Sequence, residues 1–329
     1  MKKGGFVSKA LTRQEVSLVE QIKEQTKQGN IDNISRTVFY KKFYERNREI
    51  RWAFLASMVS RNAGWNMTDL VTNSYREILN EEIRSLLFLT YERANWLIFS
   101  DAYPQLLIYE QSKKLGIPLF DLLTHFGVSK FMVKEWKRFW TKHHSDRLVI
   151  SQIINEQHVI EGPVLNDPFY KKNVFQSLPY KLQDILHFSS VIFPTMSGKL
   201  YGFSVHQFTK VKERVKVGKY LYWLLFYSRE SELFNQFSLH TEHTGSRNDY
   251  EKYREKHIRI TPELRGTFPI ISHHKSALPD WYISTYDVLP FYKKVFIPKK
   301  YELTKWLIKK NFELSLLATV QHKLTRGGN

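Results

Sequence analysis

There is no proline before Pro104 in this chain of 329 residues, and nine of its eleven prolines lie between Pro163 and Pro298. Proline removes a backbone donor and clashes with the preceding helical turn, so a long proline-free stretch permits long helices. Glycine is scarce as well, at 14 residues, against the ~7% of an ordinary protein. The chain therefore reads as mainly α: a multi-helix globular fold with a small irregular or β-containing part in the C-terminal half. The first ~150 residues form the more helical half. Residues 1–30 read as a polar, helical lead-in and 31–300 as one large helical domain, with a possible subdivision near 150–165. Residues 301–329 read as a basic C-terminal helix and short tail.

Composition removes whole chemistries. With no cysteine there is no disulfide framework, thiol nucleophile, cysteine-based zinc site or iron–sulfur cluster. Apolar content of 42% is too high for a disordered chain. The start Met1-Lys2-Lys3-Gly4-Gly5-Phe6 leads into polar residues, with no secretory core. No stretch of 18 apolar residues spans a membrane. A soluble, cytoplasmic protein is expected, with 50 Lys+Arg against 32 Asp+Glu, a net charge of +18.

Local signals place several elements. Asn80 caps a helix with Ile83, Leu86, Leu87, Ala94, Leu97 and Ile98 on one stripe, and Glu81 and Glu82 suit its N-terminal dipole. Pro104 is expected to kink or end it, with a restart over Gln105 to Lys114. Ser35 is a candidate cap for a helix from Arg36 to Glu45. Ile50 to Arg61 reads as another helix, with Gly64 as its stop. Tyr180 to Phe188 and Lys219 to Glu232 also read as helices, and Leu148 to Ile154 and Phe203 to Phe208 as weak strands.

Four windows carry candidate chemistry. Pro118 to Trp136 resembles a helix-turn-helix: a first helix ends at Phe126, Gly127 turns the chain, and Ser129 caps a second helix with Val133 inward. Lys130, Lys134, Lys137 and Arg138 then make a basic face. Leu123 where a small residue is usual, and Phe131 and Met132 where base-reading side chains belong, favour an ordinary helical corner. His240 to Glu251 packs two histidines, three carboxylates and Arg247 into one loop. His240 and His243 with an acid are adequate metal ligands, but the spacing matches no established zinc frame and no metal is expected. Gly245-Ser246-Arg247 would suit an anion, and the plain alternative is a loop capped by Asn248 or Asp249.

The third window is polar residues on apolar helices: Arg61, Asn62 and Asn66, then Glu92, Arg93, Asn95 and Asp101. Buried charges of this kind are paired or shift their pKa, and such networks are more often structural than catalytic. The fourth is basic and aromatic interleaving. Lys293, Lys294, Lys299 and Lys300 open a run of seven lysines and one glutamate that reaches Lys310, with Phe296, Tyr301 and Trp306 among them. Lys210 to Lys219 adds four lysines and Arg214. Such stripes fit a polyanion, either nucleic acid or an anionic membrane surface. The competing reading is rings in the core and lysines in water.

Five phrases of the sequence point to a family: Asn33-Ile34-Ser35-Arg36-Thr37; Leu55-Ala56-Ser57-Met58-Val59-Ser60-Arg61-Asn62-Ala63-Gly64-Trp65-Asn66-Met67; Tyr91-Glu92-Arg93-Ala94-Asn95-Trp96-Leu97-Ile98-Phe99; Asp101-Ala102-Tyr103-Pro104-Gln105-Leu106-Leu107; and His243-Thr244-Gly245-Ser246-Arg247. Over about residues 30 to 295 the chain resembles the YppC-like proteins of Bacillus and other Firmicutes, a domain of unknown function. The resemblance implies a bacterial cytoplasmic protein and makes the polar groups candidates for a shared site. It implies no reaction, catalytic residue or cofactor.

Three functions follow as expectations. The first is a polyanion-binding protein, nucleic acid ahead of lipid, using Lys130, Lys134, Lys137, Arg138 and the lysines from 293 to 300. The second is an enzyme whose pocket joins Arg61, Asn62, Glu92, Arg93, Asn95 and Asp101 to His243, Arg247 and Asp249. The third is a peripheral membrane-surface protein using the Lys293–Lys310 region.

Overall fold

The computed structural model describes residues 11–176, 190–204, 207–255, 260–274 and 279–326. The main helices are α1 (Arg13–Gly29), α2 (Asn33–Arg46), α3 (Arg51–Asp69), α4 (Asn73–Ile78), α5 (Glu81–Leu115), α6 (Lys130–Lys142), α7 (Ser145–Val159), α8 (Val211–Tyr227), α9 (Ser231–His240) and α10 (Thr304–Arg326). Among the described residues one antiparallel hairpin, β1 (Ser190–Pro194) with β2 (Leu200–Ser204), supplies the strands, and Ser190 faces Ser204 at its open end. The protein is thus mainly helical, with its small sheet in the C-terminal half.

The central element is α3. From Trp52 to Asp69 every residue except Val59 is buried, as expected of a helix covered on all sides. It packs on α2, α5, α7, α8 and β1. Burying Ser57, Ser60, Arg61, Asn62, Asn66 and Asp69 there obliges each to find a partner. Asn62 finds one by imitating a strand: its amide donates to the Ser190 carbonyl at 3.1 Å, and its Oδ1 accepts from the Ile192 N–H at 2.9 Å. The largest apolar cluster runs from Val19 to Leu307 and is dominated by rings such as Trp52, Phe99, Phe120, Trp136 and Phe193.

Several local expectations meet tertiary structure. Asn80 caps α5 through the Ile83 N–H at 2.9 Å, and Ser129 caps α6 through the Met132 N–H. Gly127 sits at φ +69° and turns the chain between them. The segment before it, Phe120–Phe126, is a 3-10 helix. Met132 and Trp136 fill the inner face of α6, while Val133 is only half-buried. The helix does not end at Pro104 and no restart is needed, since α5 runs unbroken for 35 residues. Residues 101–109 are buried without exception, and that packing offsets the ~3 kcal/mol cost of an interior proline.

α2 starts three residues earlier than expected because Asp32, not Ser35, is its cap. α3 passes through Gly64, which is placed for close packing and stops nothing. The alternation over Leu148 to Ile154 is not a strand; α7 buries adjacent residues there, as a helix wedged between α3, α5, α6 and α8 can. Of the expected strand Phe203 to Phe208, Phe203 and Ser204 lie in β2, Gln207 and Phe208 form a bend and turn, and residues 205 and 206 lie outside the described residues. Lys219 to Glu232 divides between α8 and α9, separated at Ser228. Tyr180 to Phe188 lies outside the described residues.

Glu156 on α7 has one consequence for stability. Trp52 Nε1 donates to its carboxylate at 3.1 Å, but burial dominates and raises its pKa from 4.5 to about 7. The unfolded chain releases this proton near its ordinary pKa, whereas the folded one keeps it to about pH 7. Stability therefore falls as pH rises through that window and stays lower above it. Glu156→Gln should add about 1–2 kcal/mol near pH 8 and little near pH 4. Urea unfolding at both pH values reads this directly, and equal effects at the two would contradict it.

Candidate functional site

The loop from Thr241 to Arg247 folds back on α3 and ties together most of the buried polar side chains. Gly245 makes the turn at φ +76°, and a Cβ there would lie 2.6 Å from Leu264. His243 Nε2 meets Asn33 Oδ1 at 2.9 Å, and its Nδ1 faces Asp249 Oδ2 at 3.3 Å. Burial pushes the imidazole's pKa down, against the pull of Asp249. Asp249 also accepts from Trp65 Nε1 at 3.0 Å and from the Thr244 N–H and hydroxyl. Burial raises its pKa, but these hydrogen bonds, His243's first, bring it below the usual range.

Arg247 forms a two-pronged pair with Asp69, Nε to Oδ1 at 2.8 Å and Nη2 to Oδ2 at 2.6 Å, and also meets Asn66 and Tyr250. Arg61 donates Nη2 to the Thr241 carbonyl at 2.6 Å and lies over the Phe237 ring. Burial lowers its pKa to about 10.

All five of these ionisable residues are at most 4% exposed. His243 has both ring nitrogens engaged and no nucleophile beside it, so the arrangement orders the loop and offers no base to a substrate. His240 points elsewhere, exposed, with Nδ1 on the Gln236 carbonyl. Gly64 is where α3 lets the loop approach. A Cβ there would stand 2.5 Å from Asn33 Oδ1 and 2.9 Å from His243 Cε1. Gly64→Ala should therefore destabilise by about 1–3 kcal/mol, although alanine is the better helix former. A thermal unfolding midpoint at or above that of the parent would contradict this.

The other polar candidates lie apart from this loop. Glu92 takes both oxygens to Arg36 Nη2 at 2.6 Å, and Asn30 supports the guanidinium. Arg93 reaches the His274 carbonyl and lies over Trp96. Asn95 bonds the Tyr91 carbonyl one turn back. Asp101 is tied to Gln105 and Asn155. Asn62 serves β1, as described above. One pocket shared by all nine residues is therefore not formed.

The His243 loop and the Glu92 pair both meet the start of α2, where Asn33 bonds His243 and Arg36, supported by Asn30, bonds Glu92. Asn33 and Arg36 stand in the first of the five family phrases, but not among the candidate site residues. The one visible signal was the density of Asn and Asp over residues 30–33. A cleft of about 330 Å³ opens beside it, walled by Asp32, Glu92, Phe88, Arg265 and Phe268.

The basic stretches behave differently, because the segment 280–297 gathers them. Its Trp281 and Tyr282 pack on Phe131 of α6. Lys134 lies 4.9 Å over the Tyr282 ring. Tyr292 stacks under Arg147 at 4.1 Å, with Arg138 within electrostatic reach. From α8, Lys219 Nζ donates to the Lys293 carbonyl at 2.6 Å. The three lysine-rich stretches thus converge on one strap.

Lys130, Lys134, Lys137 and Arg138 project outward from α6, with Lys137 paired to Asp121. Lys293, Lys294, Lys299 and Lys300 are exposed on and just beyond the strap. Among them the strap exposes large apolar side chains: Ile283 at 89%, Tyr286 at 83%, Phe296 at 80% and Leu289 at 47%. Next in the chain, α10 buries Leu307, Leu314 and Ala318 while leaving Ile308, Phe312, Leu316 and Val320 exposed at four-residue spacing. No helix of the described residues is long and apolar enough to cross a membrane.

The family described as "Protein of unknown function (DUF2515)" matches residues 28–308. The chain is 48% identical over 313 residues to the uncharacterized protein YppC of Bacillus subtilis (strain 168), covering 94% of this chain and 97% of that protein. No solved structure matches the chain.

Proposed function

The chain belongs to the DUF2515 family of proteins of unknown function, and from its own surface we propose that it docks peripherally on anionic lipid bilayers through the strap. The observation that carries this reading is the set of bare apolar side chains at Ile283, Tyr286, Leu289 and Phe296 on the stretch of chain that also carries the exposed Lys293, Lys294, Lys299 and Lys300. Soluble proteins rarely expose large apolar side chains in such a group unless they bind something there.

The chemistry of the group selects among polyanions. Nucleic acid is held by cations on phosphates and by rings that stack on bases. Ile283 and Leu289 are aliphatic and stack on nothing, whereas an acyl-chain boundary accepts aliphatic and aromatic side chains alike while lysines reach the headgroups. For this reason lipid is placed ahead of nucleic acid. Each lysine at an anionic surface contributes about 1 kcal/mol, and burying Ile283 and Phe296 about 2 kcal/mol each. The gross gain, of the order of 8 kcal/mol, corresponds to micromolar attachment.

Co-sedimentation with phosphatidylglycerol-containing vesicles tests the reading. The protein should pellet with them, release partly as salt rises from roughly 0.1 to 0.5 M, and stay in the supernatant with phosphatidylcholine alone. Salt-sensitive binding to duplex DNA with no vesicle binding would overturn it in favour of nucleic acid.

A further inference from the structure

A cavity of about 620 Å³ lies behind Trp281, walled by Leu97, Phe126, Val128, Val159 and Pro163 and carrying four polar side chains, Asp101, Ser129, His158 and Asp280. The volume and the mostly apolar lining are those of a small-molecule site. Its hydrogen-bonding character is one-sided. The Ser129 hydroxyl and the Trp281 indole N–H both donate to Asn155 Oδ1, at 2.8 and 3.1 Å, so neither side-chain donor is available to a guest.

His158 Nδ1 is held by the Ile154 carbonyl at 2.7 Å, which places the proton there and leaves Nε2 as an acceptor. Nε2 has no hydrogen-bond partner among the described residues. The ring is fixed by stacking on Trp281 at 4.2 Å. Burial keeps the imidazole's pKa below its ordinary value, which favours the neutral form. Asp280 is oriented by the N–H groups of Lys130 and Tyr282, and Asp101 by the amides of Gln105 and Asn155. Among the described residues neither lysine nor arginine lines the cavity.

We propose that this cavity binds a hydrophobic amine, its ammonium donating to His158 Nε2 beside the Asp280 carboxylate and its apolar body lying against Trp281 and Phe126. Among the described residues the side-chain groups that face a guest, His158 Nε2 and Asp280, are an acceptor and a carboxylate, so a protonated amine matches both. An alcohol matches one, and a carboxylate is repelled by Asp280. The proposal stands on the cavity alone and is independent of bilayer docking.

Calorimetric titration of the full chain with 2-phenylethylamine, 2-phenylethanol and phenylacetate at neutral pH tests it. The amine should bind about tenfold or more tightly than the alcohol, the ratio one charge-assisted hydrogen bond supplies, and the acid should give no heat. His158→Phe keeps a ring on Trp281 and removes the acceptor, and should weaken the amine by about tenfold. Equal affinity for amine and alcohol, no heat from any probe, or amine binding unchanged in His158→Phe would each overturn the proposal. Ile283→Ser should bind the amine like the parent, which separates this test from that of docking.

Discussion

Asp69→Asn should destabilise the protein by about 3–5 kcal/mol, the cost of leaving a buried charge without its partner. Arg247 is 2% exposed and Asp69 1%, so water cannot replace the lost carboxylate. Burial alone works against the guanidinium's charge, and Asp69 beside it more than reverses that, holding its pKa above the ordinary arginine value. Asparagine keeps the shape and one acceptor but removes the charge. The effect should spread, because Arg247 also anchors Asn66 and Tyr250, and its backbone N–H is held by Thr261 at 2.7 Å. Replacing both partners together, as Asp69→Leu with Arg247→Met, should recover most of the loss. Urea unfolding of the three variants decides it. A loss under about 1 kcal/mol in Asp69→Asn would mean the pair is solvated or dispensable.

The second large effect concerns the strap. Converting Lys293, Lys294, Lys299 and Lys300 together to glutamine should weaken attachment to phosphatidylglycerol vesicles by about 4 kcal/mol, near a thousandfold. The residual binding should lose most of its salt dependence. Ile283→Ser with Phe296→Ser should also weaken attachment, by about 3–5 kcal/mol, but should leave the salt dependence in place. The two variants divide the surface into a charge part and an apolar part. None of the six positions is buried, so both variants should unfold like the parent. Binding that survives both would move the docking surface elsewhere, with the exposed row Ile308, Phe312, Leu316 and Val320 on α10 the next face to alter.

Local chemistry was legible in the sequence, and long-range pairing was not. Asn80, Gly127 and Ser129 act within three residues of themselves, so their caps and turn could be read directly. That α5 continues past Pro104 could not be read, because the proline's cost is local while its compensation, burial over residues 101–109, comes from other helices. Leu148 to Ile154 was misread because a helix buried on several sides carries no clean period. Asn33 pairs with His243 across 210 positions and Asp69 with Arg247 across 178, separations that leave no spacing signal. Arg61, Asn62, Glu92 and Asp101 were visible as polar residues on apolar helices, but nothing in the chain told which of them would meet. The lysine stretches could each be read, and only the strap at 280–297 joins them.

Because the chain has no cysteine, a single cysteine introduced on the strap can carry an environment-sensitive dye at one known place. Ile283→Cys and Phe296→Cys, labelled and mixed with phosphatidylglycerol vesicles, should shift their emission to the blue as the dye enters the acyl boundary. Glu24→Cys, on the exposed face of α1, should not shift, and none should respond to phosphatidylcholine. Unchanged emission at 283 and 296 while the protein pellets with the vesicles would contradict docking through the strap.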